Sequence, residues 1–213
     1  MYVPEVFAVV DEAYAREVID GHGFALLVTA ADGPPQASHL PFLLAPEHGP
    51  KGTLVAHMVR ANPQWRGLER LSAEGGEALV IFQGPHAYVS PNWYAGEQAV
   101  PTWNYLAVHA YGIPRLIEDS VRVRAVIERL VDRHEAGRAA PWRIDSQEKP
   151  YVAAMLRGIV AFEIPIARLE AKAKLNQNKG PQDRAGVVAG LREIGDPQAA
   201  ALADIMATWP FDG

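Results

Sequence analysis

Short apolar runs, each closed off by turn-forming residues, constrain this chain more than any other feature. FALLVTA (24–30), the stretch 36–44, GTLVAHMV (52–59) and EALVIFQG (77–84) each read as a strand, and Gly, Pro and Asp punctuate the gaps between them. Ala31, Asp32 and Gly33 have the composition of a hairpin turn. One helix is interposed: Asn62 can cap it, Pro63 suits its first position, and PQWRGLERL should close by Gly75. WNYLAVHAYGIPRLI (103–117) reads as a long strand broken near Gly112 and Pro114. Short strands joined by turns, with one helix among them, favour an antiparallel barrel over a parallel βαβ array.

The rest of the chain is more helical. A short amphipathic helix over 11–20 carries Asp11 as its cap and ends at Gly21-His22-Gly23. Pro41 cannot donate to a sheet ladder, so the second strand is bulged or lies at an edge there. Residues 119–137 place Val123, Val126, Ile127, Leu130 and Val131 at helical spacing, and Ser146 can cap a further segment ending at Leu156. GIVAFEIP (158–165) reads as one more buried strand that closes the barrel. A basic, amide-rich segment, AKAKLNQNKGPQDR (171–184), then leads into helices over 181–194 and 197–208, the last with the spacing of a docking or interface helix. With no repeat or long linker, the expectation is one domain over 1–195 with inserted and flanking helices. Residues 196–213 would form a C-terminal helix of the same domain or of an interface.

Composition narrows the function classes. Apolar residues make up 49% of the 213 residues and charged ones 21%, a globular balance, and the formal net charge is −5. That charge gives no global field toward nucleic acid or anionic lipid. There is no cysteine, which excludes disulfides, thiolate metal sites and cysteine nucleophiles. The N-terminus lacks a basic leader region, and no apolar run approaches the ~20 residues of a membrane span. A soluble cytoplasmic protein is expected.

The densest chemistry lies in FQGPHAYVSPNWYAGEQAVPTWNYLAVHAYG (82–112), where Trp93, Trp103, Tyr88, Tyr94, Tyr105, His86 and His109 crowd together. Each buried Trp or Tyr needs a partner for its N–H or O–H. Flat rings beside amides and imidazoles suit a flat ligand with polar edges. Arg60 and Asn62, at a strand-to-helix junction, can hold a phosphate through a guanidinium and free helix N–H groups, or simply form an Asn cap beside a solvated Arg. Lys174, Asn176, Gln177, Asn178 and Lys179 can clamp an anionic or amide-edged ligand, reach across a dimer interface, or form a solvated basic turn. His39, His57, His86 and His109 lack chelate spacing, so no metal is expected. No nucleophile elbow, Walker loop or dinucleotide-binding glycine turn is present. The charged helix at 119–137 has the alternation of a solvated face, and without a helix-turn-helix pattern direct DNA binding is not expected.

Several of these segments resemble the PaiB-type family, FMN-binding proteins described as negative transcriptional regulators. They are MYVPEVF at the start, SHLPF (38–42), AHMVRANPQW (56–65), FQGPHAYVSPNWY (82–94), VPTWNY (100–105), VHAYG (108–112) and KLNQNK (174–179). The resemblance implies a fold that is mainly β with peripheral helices (α+β), an antiparallel split β-barrel of the FMN-binding type, acting as a homodimer with FMN at the subunit interface. It places Arg60 and Asn62 at the FMN phosphate and His39, Leu40 and Pro41 beside the isoalloxazine. Trp103, Asn104 and Trp93 would supply stacking and amide contacts, and Lys174 and Gln177 would come from the C-terminal segment, of the same or the partner subunit. The chain departs from the family pattern at Asn176, where a Ser is usual. What is implied is a regulator acting through bound flavin or a small ligand. The alternatives are a flavin-dependent oxidoreductase using NADH or NADPH and a small acceptor, and an interaction module without flavin.

Overall fold

The computed structural model describes residues 1–31, 33–96 and 99–211; Asp32 of the expected hairpin turn lies outside them. In chain order the elements are α1 (Glu12–Gly21), β1 (Phe24–Thr29), β2 (Gln36–Pro41), β3 (Leu43–Ala45), β4 (Thr53–Val59), α2 (Gln64–Glu74), β5 (Ala78–Val89), β6 (Thr102–Gly112) and β7 (Arg115–Ile117). They continue as α3 (Ser120–Glu135), α4 (Lys149–Arg157), β8 (Ile159–Pro165), β9 (Arg168–Lys174), α5 (Pro181–Glu193) and α6 (Pro197–Thr208). One five-stranded sheet has the order β2-β1-β5-β6-β9, and a four-stranded sheet has the order β3-β4-β8-β7. The ladders β1–β2, β1–β5, β3–β4, β4–β8 and β7–β8 are antiparallel. Among the described residues, no helix is long and apolar enough to cross a membrane.

The chain forms two compact units. The first comprises His22–Phe82 and His109–Leu169. Here β2 is an edge strand, and Pro41 is its last residue, paired with Phe24. This is where a residue without an N–H costs no ladder bond. The chain then leaves that sheet for the other one through Phe42. Its N–H donates to the Gly23 carbonyl at 2.7 Å, and its ring sits edge-on to Phe82 and Phe162 at centroid distances of 6.0 and 6.1 Å. Gly23 is needed at this crossing, because a Cβ there would meet the Phe42 carbonyl at 2.9 Å. The helical period of 119–137 becomes α3, whose Val126 and Leu130 pack with Leu43, Val55, Ile117 and Ala161 of the four-stranded sheet. Asp119 caps it, accepting from the Arg122 N–H at 2.8 Å.

The second unit comprises Met1–Gly21, Gln83–Val108 and Glu170–Gly213. Asp11 accepts from the Ala13 N–H at 2.8 Å at the start of α1, whose Ala15, Val18 and Ile19 are buried. The N-terminal strand segment joins β9, with the Val9 N–H donating to the Ala171 carbonyl at 3.0 Å. α5 ends before Gly195, which has φ +74°, and Asp196 opens α6 by accepting from the Gln198 and Ala199 N–H groups. Val187 and Leu191 of α5 are buried, as are Leu202, Ala203 and Met206 of α6.

Three expectations need correction. The basic stretch after Pro165 is not all loop: residues up to Lys174 form β9, an additional strand, so β8 is not the last. Alanine, lysine and glutamate are poor strand formers, which hid it. Ser146 does not cap α4; it lies in a 3₁₀ turn over Ile144–Ser146 with its hydroxyl donating to the Arg143 carbonyl, and Glu148 precedes the helix. β5 does not stop at Gly84 but continues through HAYV to Val89.

Candidate functional site

In the first unit the polar residues gather where β4 hands over to α2, beside the edge strand β2. After Val59 the chain turns tightly, with the Asn62 N–H donating to the Val59 carbonyl at 2.9 Å. Asn62 then does two things at once. Its Oδ1 accepts from the Gln64 N–H at 3.0 Å, the Asn cap expected from the sequence, and its Nδ2 donates to the Ser38 hydroxyl of β2 at 2.9 Å. Pro63 stands one residue before the helix rather than in its first position. Gln64 is buried and secures the junction from beneath: its Nε2 donates to the Leu27 carbonyl, the Thr29 Oγ1 and the Gln36 carbonyl at 3.1–3.3 Å. The start of α2 is thereby tied to both strands of the first hairpin.

Along β2, His39 is exposed and its ring stacks on Phe24 at 6.1 Å and 25°. Leu40 and Pro41 are half-buried and pair with Ala25 and Phe24. Arg60 is fixed by the chain entering β8: its Nε donates to the Arg157 carbonyl at 3.1 Å and its Nη2 to the Ile159 carbonyl at 2.9 Å. Two residues of β4 before the strand's end, His57 has its Nδ1 buried without a hydrogen-bond partner among the described residues. Burial holds its imidazole below the ordinary value of 6.5, so it is neutral at neutral pH.

The remaining sequence candidates lie in the second unit. Trp93 closes a 3₁₀ turn, Pro91–Trp93, and its indole lies directly against Gly190 of α5. Trp103 is 54% exposed, with His86 at 6.3 Å and Tyr88 at 6.2 Å on the neighbouring strand. The Lys174 ammonium donates to the Thr102 hydroxyl and, at 3.0 Å, to the Trp103 carbonyl; burial first, then Lys172, pushes its pKa below 10.5. The unit therefore brings Trp103 and Lys174 together. Asn104 is fully buried, donating to the Met206 sulfur at 3.5 Å, and its Oδ1 has no partner among the described residues. The Gln177 amide serves its own turn, accepting from the Leu175 N–H at 2.7 Å and donating to the Ala173 carbonyl. Among the described residues no group of three or more His, Asp or Glu side chains can hold a metal ion.

Ser38 and Gln64 are site residues that the sequence reading does not single out, and His57 enters it only among the histidines weighed as metal ligands. For Ser38 the signal was present, since it opens SHLPF, and its hydroxyl is what Asn62 reaches. For His57 and Gln64 nothing in the spacing distinguishes them from ordinary strand and helix positions; burial and partners do.

Comparison with known proteins identifies the family of this chain. The family described as "Putative FMN-binding domain" matches residues 1–168. The chain is 34% identical over 209 residues to the Bacillus subtilis protein named protease synthase and sporulation protein PAI 2, covering 97% of this chain and 96% of that one. Among solved structures, an FAD and heme binding protein of Mycobacterium smegmatis superposes with a TM-score of 0.59 at 20% identity, covering 83% of this chain and 78% of its own. The flavocytochrome Anf3 of Azotobacter vinelandii superposes with a TM-score of 0.58 at 17% identity, covering 86% and 78%. At such identities the structural likeness is one of fold, and that fold is the α+β antiparallel split-barrel class expected from the sequence. With the family match spanning most of the chain and the Bacillus relative matching nearly end to end, this chain belongs to the PaiB-like family of FMN-binding domain proteins.

Proposed function

We propose that this chain binds FMN at the β2 and β4–α2 junction of its first unit and acts, as a homodimer, as a flavin-dependent regulator. The observation that carries the reading is the polar cluster there. A hydroxyl (Ser38) and an amide (Asn62) are hydrogen-bonded to each other at a helix start, and two residues before Asn62 the Arg60 guanidinium is fixed on the Arg157 and Ile159 carbonyls, with its Nη1 unengaged among the described residues. Nearby in β4, the buried Nδ1 of His57 has no partner among the described residues, as expected of a group that completes its hydrogen bonding with a ligand. Arg60 and Asn62 would hold the phosphate, and His39, Leu40 and Pro41 would lie beside the ring. Bound flavin supplies one- or two-electron transfer; the residues of this chain bind and orient it. The regulatory part of the reading is supported by the name of the Bacillus relative, which concerns protease synthesis and sporulation. The net charge of −5 favours action through a partner over direct contact with DNA.

A second reading, a flavin-dependent oxidoreductase, is favoured by the exposed Trp103 with His86 and Tyr88 beside it, a surface on which a second planar reactant can stack. The test is a titration with FMN followed by flavin absorbance and fluorescence, repeated with Asn62→Ala. Saturable binding that weakens in the variant supports the site. A protein that is colourless as purified and takes up no added FMN overturns both readings and leaves a flavin-free interaction module. Steady oxidation of NADH or NADPH by the loaded protein distinguishes the enzyme from the regulator.

A further inference from the structure

A cavity of about 750 Å³ opens in the first unit between α2, the β7–α3 connection, α4 and the start of β8. Its volume lies within the roughly 300–1,000 Å³ typical of small-molecule sites. The lining is mostly apolar, with Trp65, Ile117, Val123, Leu156 and Val160 contributed by five different elements. Such a space suits a compact apolar body.

The charged groups around it divide into engaged and unengaged. Arg124 is held by Glu128 at 2.7 Å and Asp145 at 2.5 Å. Arg60 is oriented by its bonds to the Arg157 and Ile159 carbonyls, and its Nη1 has no partner among the described residues. The Arg157 guanidinium has no hydrogen-bond or ion-pair partner among the described residues, and neither do the carboxylates of Glu69 and Glu118, which line the same cavity. The Arg157 guanidinium and the Nη1 of Arg60 lie on neighbouring chain, because the backbone of one residue anchors the side chain of the other. A carboxylate is the group a guanidinium fork recognises best after phosphate. Glu69 and Glu118 decide between the two: they leave the cavity near neutral, so a single negative charge in direct contact with Arg157 is accommodated and a dianion is repelled.

We propose that this cavity is a binding site for a small amphipathic monocarboxylate. Its apolar body packs among Trp65, Val123, Leu156 and Val160, and its carboxylate meets Arg157, with Arg60 adding to the field. The inference does not rest on the flavin reading, because the carboxylate contact is the Arg157 guanidinium, which that reading does not use.

Titration calorimetry with octanoate tests it, beside octan-1-ol, which lacks the charge, and suberate, which carries two. Octanoate should bind saturably at one site, and both comparison molecules should bind at least roughly tenfold more weakly. Arg157→Ala should weaken octanoate about tenfold. Ala153→Trp, at an exposed position of α4 lining the cavity, should abolish it by filling the space, and Val121→Trp, at an exposed position of α3 that also lines it, gives an independent check should the first variant not fold. FMN affinity measured on the same variants should stay at the parent value. Absence of saturable octanoate binding overturns the proposal, as does binding that survives both tryptophan variants in folded protein. So does octan-1-ol binding as tightly as octanoate. Loss of FMN binding in Ala153→Trp, or displacement of octanoate by FMN, would assign the cavity to the flavin instead.

Discussion

The side-chain amide of Asn176 donates to the Tyr94 hydroxyl at 2.8 Å, and it does so from a backbone with φ +63°. Asn176 is the one non-glycine residue with positive φ among the described residues, and it is buried. Asparagine tolerates the left-handed region better than most residues, and its amide reaches further than a hydroxyl. One residue thus supplies both the turn and the reach. Lys179 adds its ammonium over the Tyr94 ring at 5.0 Å, and Asp183 accepts from the Ala95 N–H at 2.9 Å. The middle of the aromatic stretch is thus tied down by residues that follow β9.

Replacing Asn176 separates the two contributions. Asn176→Gly keeps the left-handed turn and loses the hydrogen bond, at a cost of about 1 kcal/mol. Asn176→Ala loses both and should cost about 2–3 kcal/mol. Urea unfolding should rank the parent above the glycine variant and the glycine variant above the alanine one. Equal midpoints for the two variants would show that the turn carries no strain.

Gly190→Ala inverts an ordinary rule. In a helix interior, glycine to alanine normally stabilises by roughly 0.5–1 kcal/mol. In α5, however, a Cβ at Gly190 would stand 2.3–2.6 Å from atoms of the Trp93 indole, and one at Gly186 would stand 2.1 Å from the Trp93 carbonyl. Overpacking of this kind costs about 1–3 kcal/mol. Gly190→Ala should therefore lower the melting temperature and shift the tryptophan emission, and a rise in melting temperature would mean that Trp93 is free to move aside.

Much of this was legible in the sequence, for reasons that can be named. The apolar runs FALLVT and TLVAHMV between turn residues and the cap at Asn62 follow from local chemistry, and the structure has each of them; of the bulge or edge that Pro41 demanded, it has the edge. The helix expected over 197–208 has those bounds because Asp196, Pro197 and the apolar spacing all agree. β9 was not legible, because RLEAKAK owes its strand state to its neighbour β6 and to the burial of Ala171, Lys172 and Ala173, not to its own propensity. Ser146 is a good cap residue in the wrong place, two residues before the cap position of α4. The polar cluster was half legible: Arg60 and Asn62 stand out at a strand-to-helix junction. The hydrogen bond from Asn62 to Ser38 and the bonds from Gln64 to the first hairpin join residues at least 24 positions apart, and no local pattern encodes them.

Gln64→Leu tests how much that junction depends on buried polar contacts. The leucine matches the apolar surroundings but leaves the Leu27 and Gln36 carbonyls and the Thr29 hydroxyl without the amide they share. A buried acceptor left unpaired costs about 1–3 kcal/mol. The variant should lose about 2–4 kcal/mol in urea unfolding, and amide exchange at the start of α2 should accelerate more than in α5. A neutral substitution would show that water replaces the amide.

His57 makes the protein's stability depend on pH in a definite direction. Burial lowers its folded-state pKa below 6.5, the ordinary value that the unfolded chain recovers. As pH falls through 6.5 the unfolded state takes up a proton that the folded state resists, so the unfolded state binds more protons and folding is weakened. The stability is fully present above that value and is lost progressively below it, down to the folded-state pKa. His22 is shifted the same way by burial and adds to the effect. Urea midpoints measured from about pH 7.5 to about pH 5.5 should therefore fall for the parent, and fall less for His57→Asn, with the His22 share remaining. The comparison rests on the change with pH rather than on the absolute stability of the variant, so any cost of the substitution itself cancels. An identical fall in both proteins would remove His57 as its source.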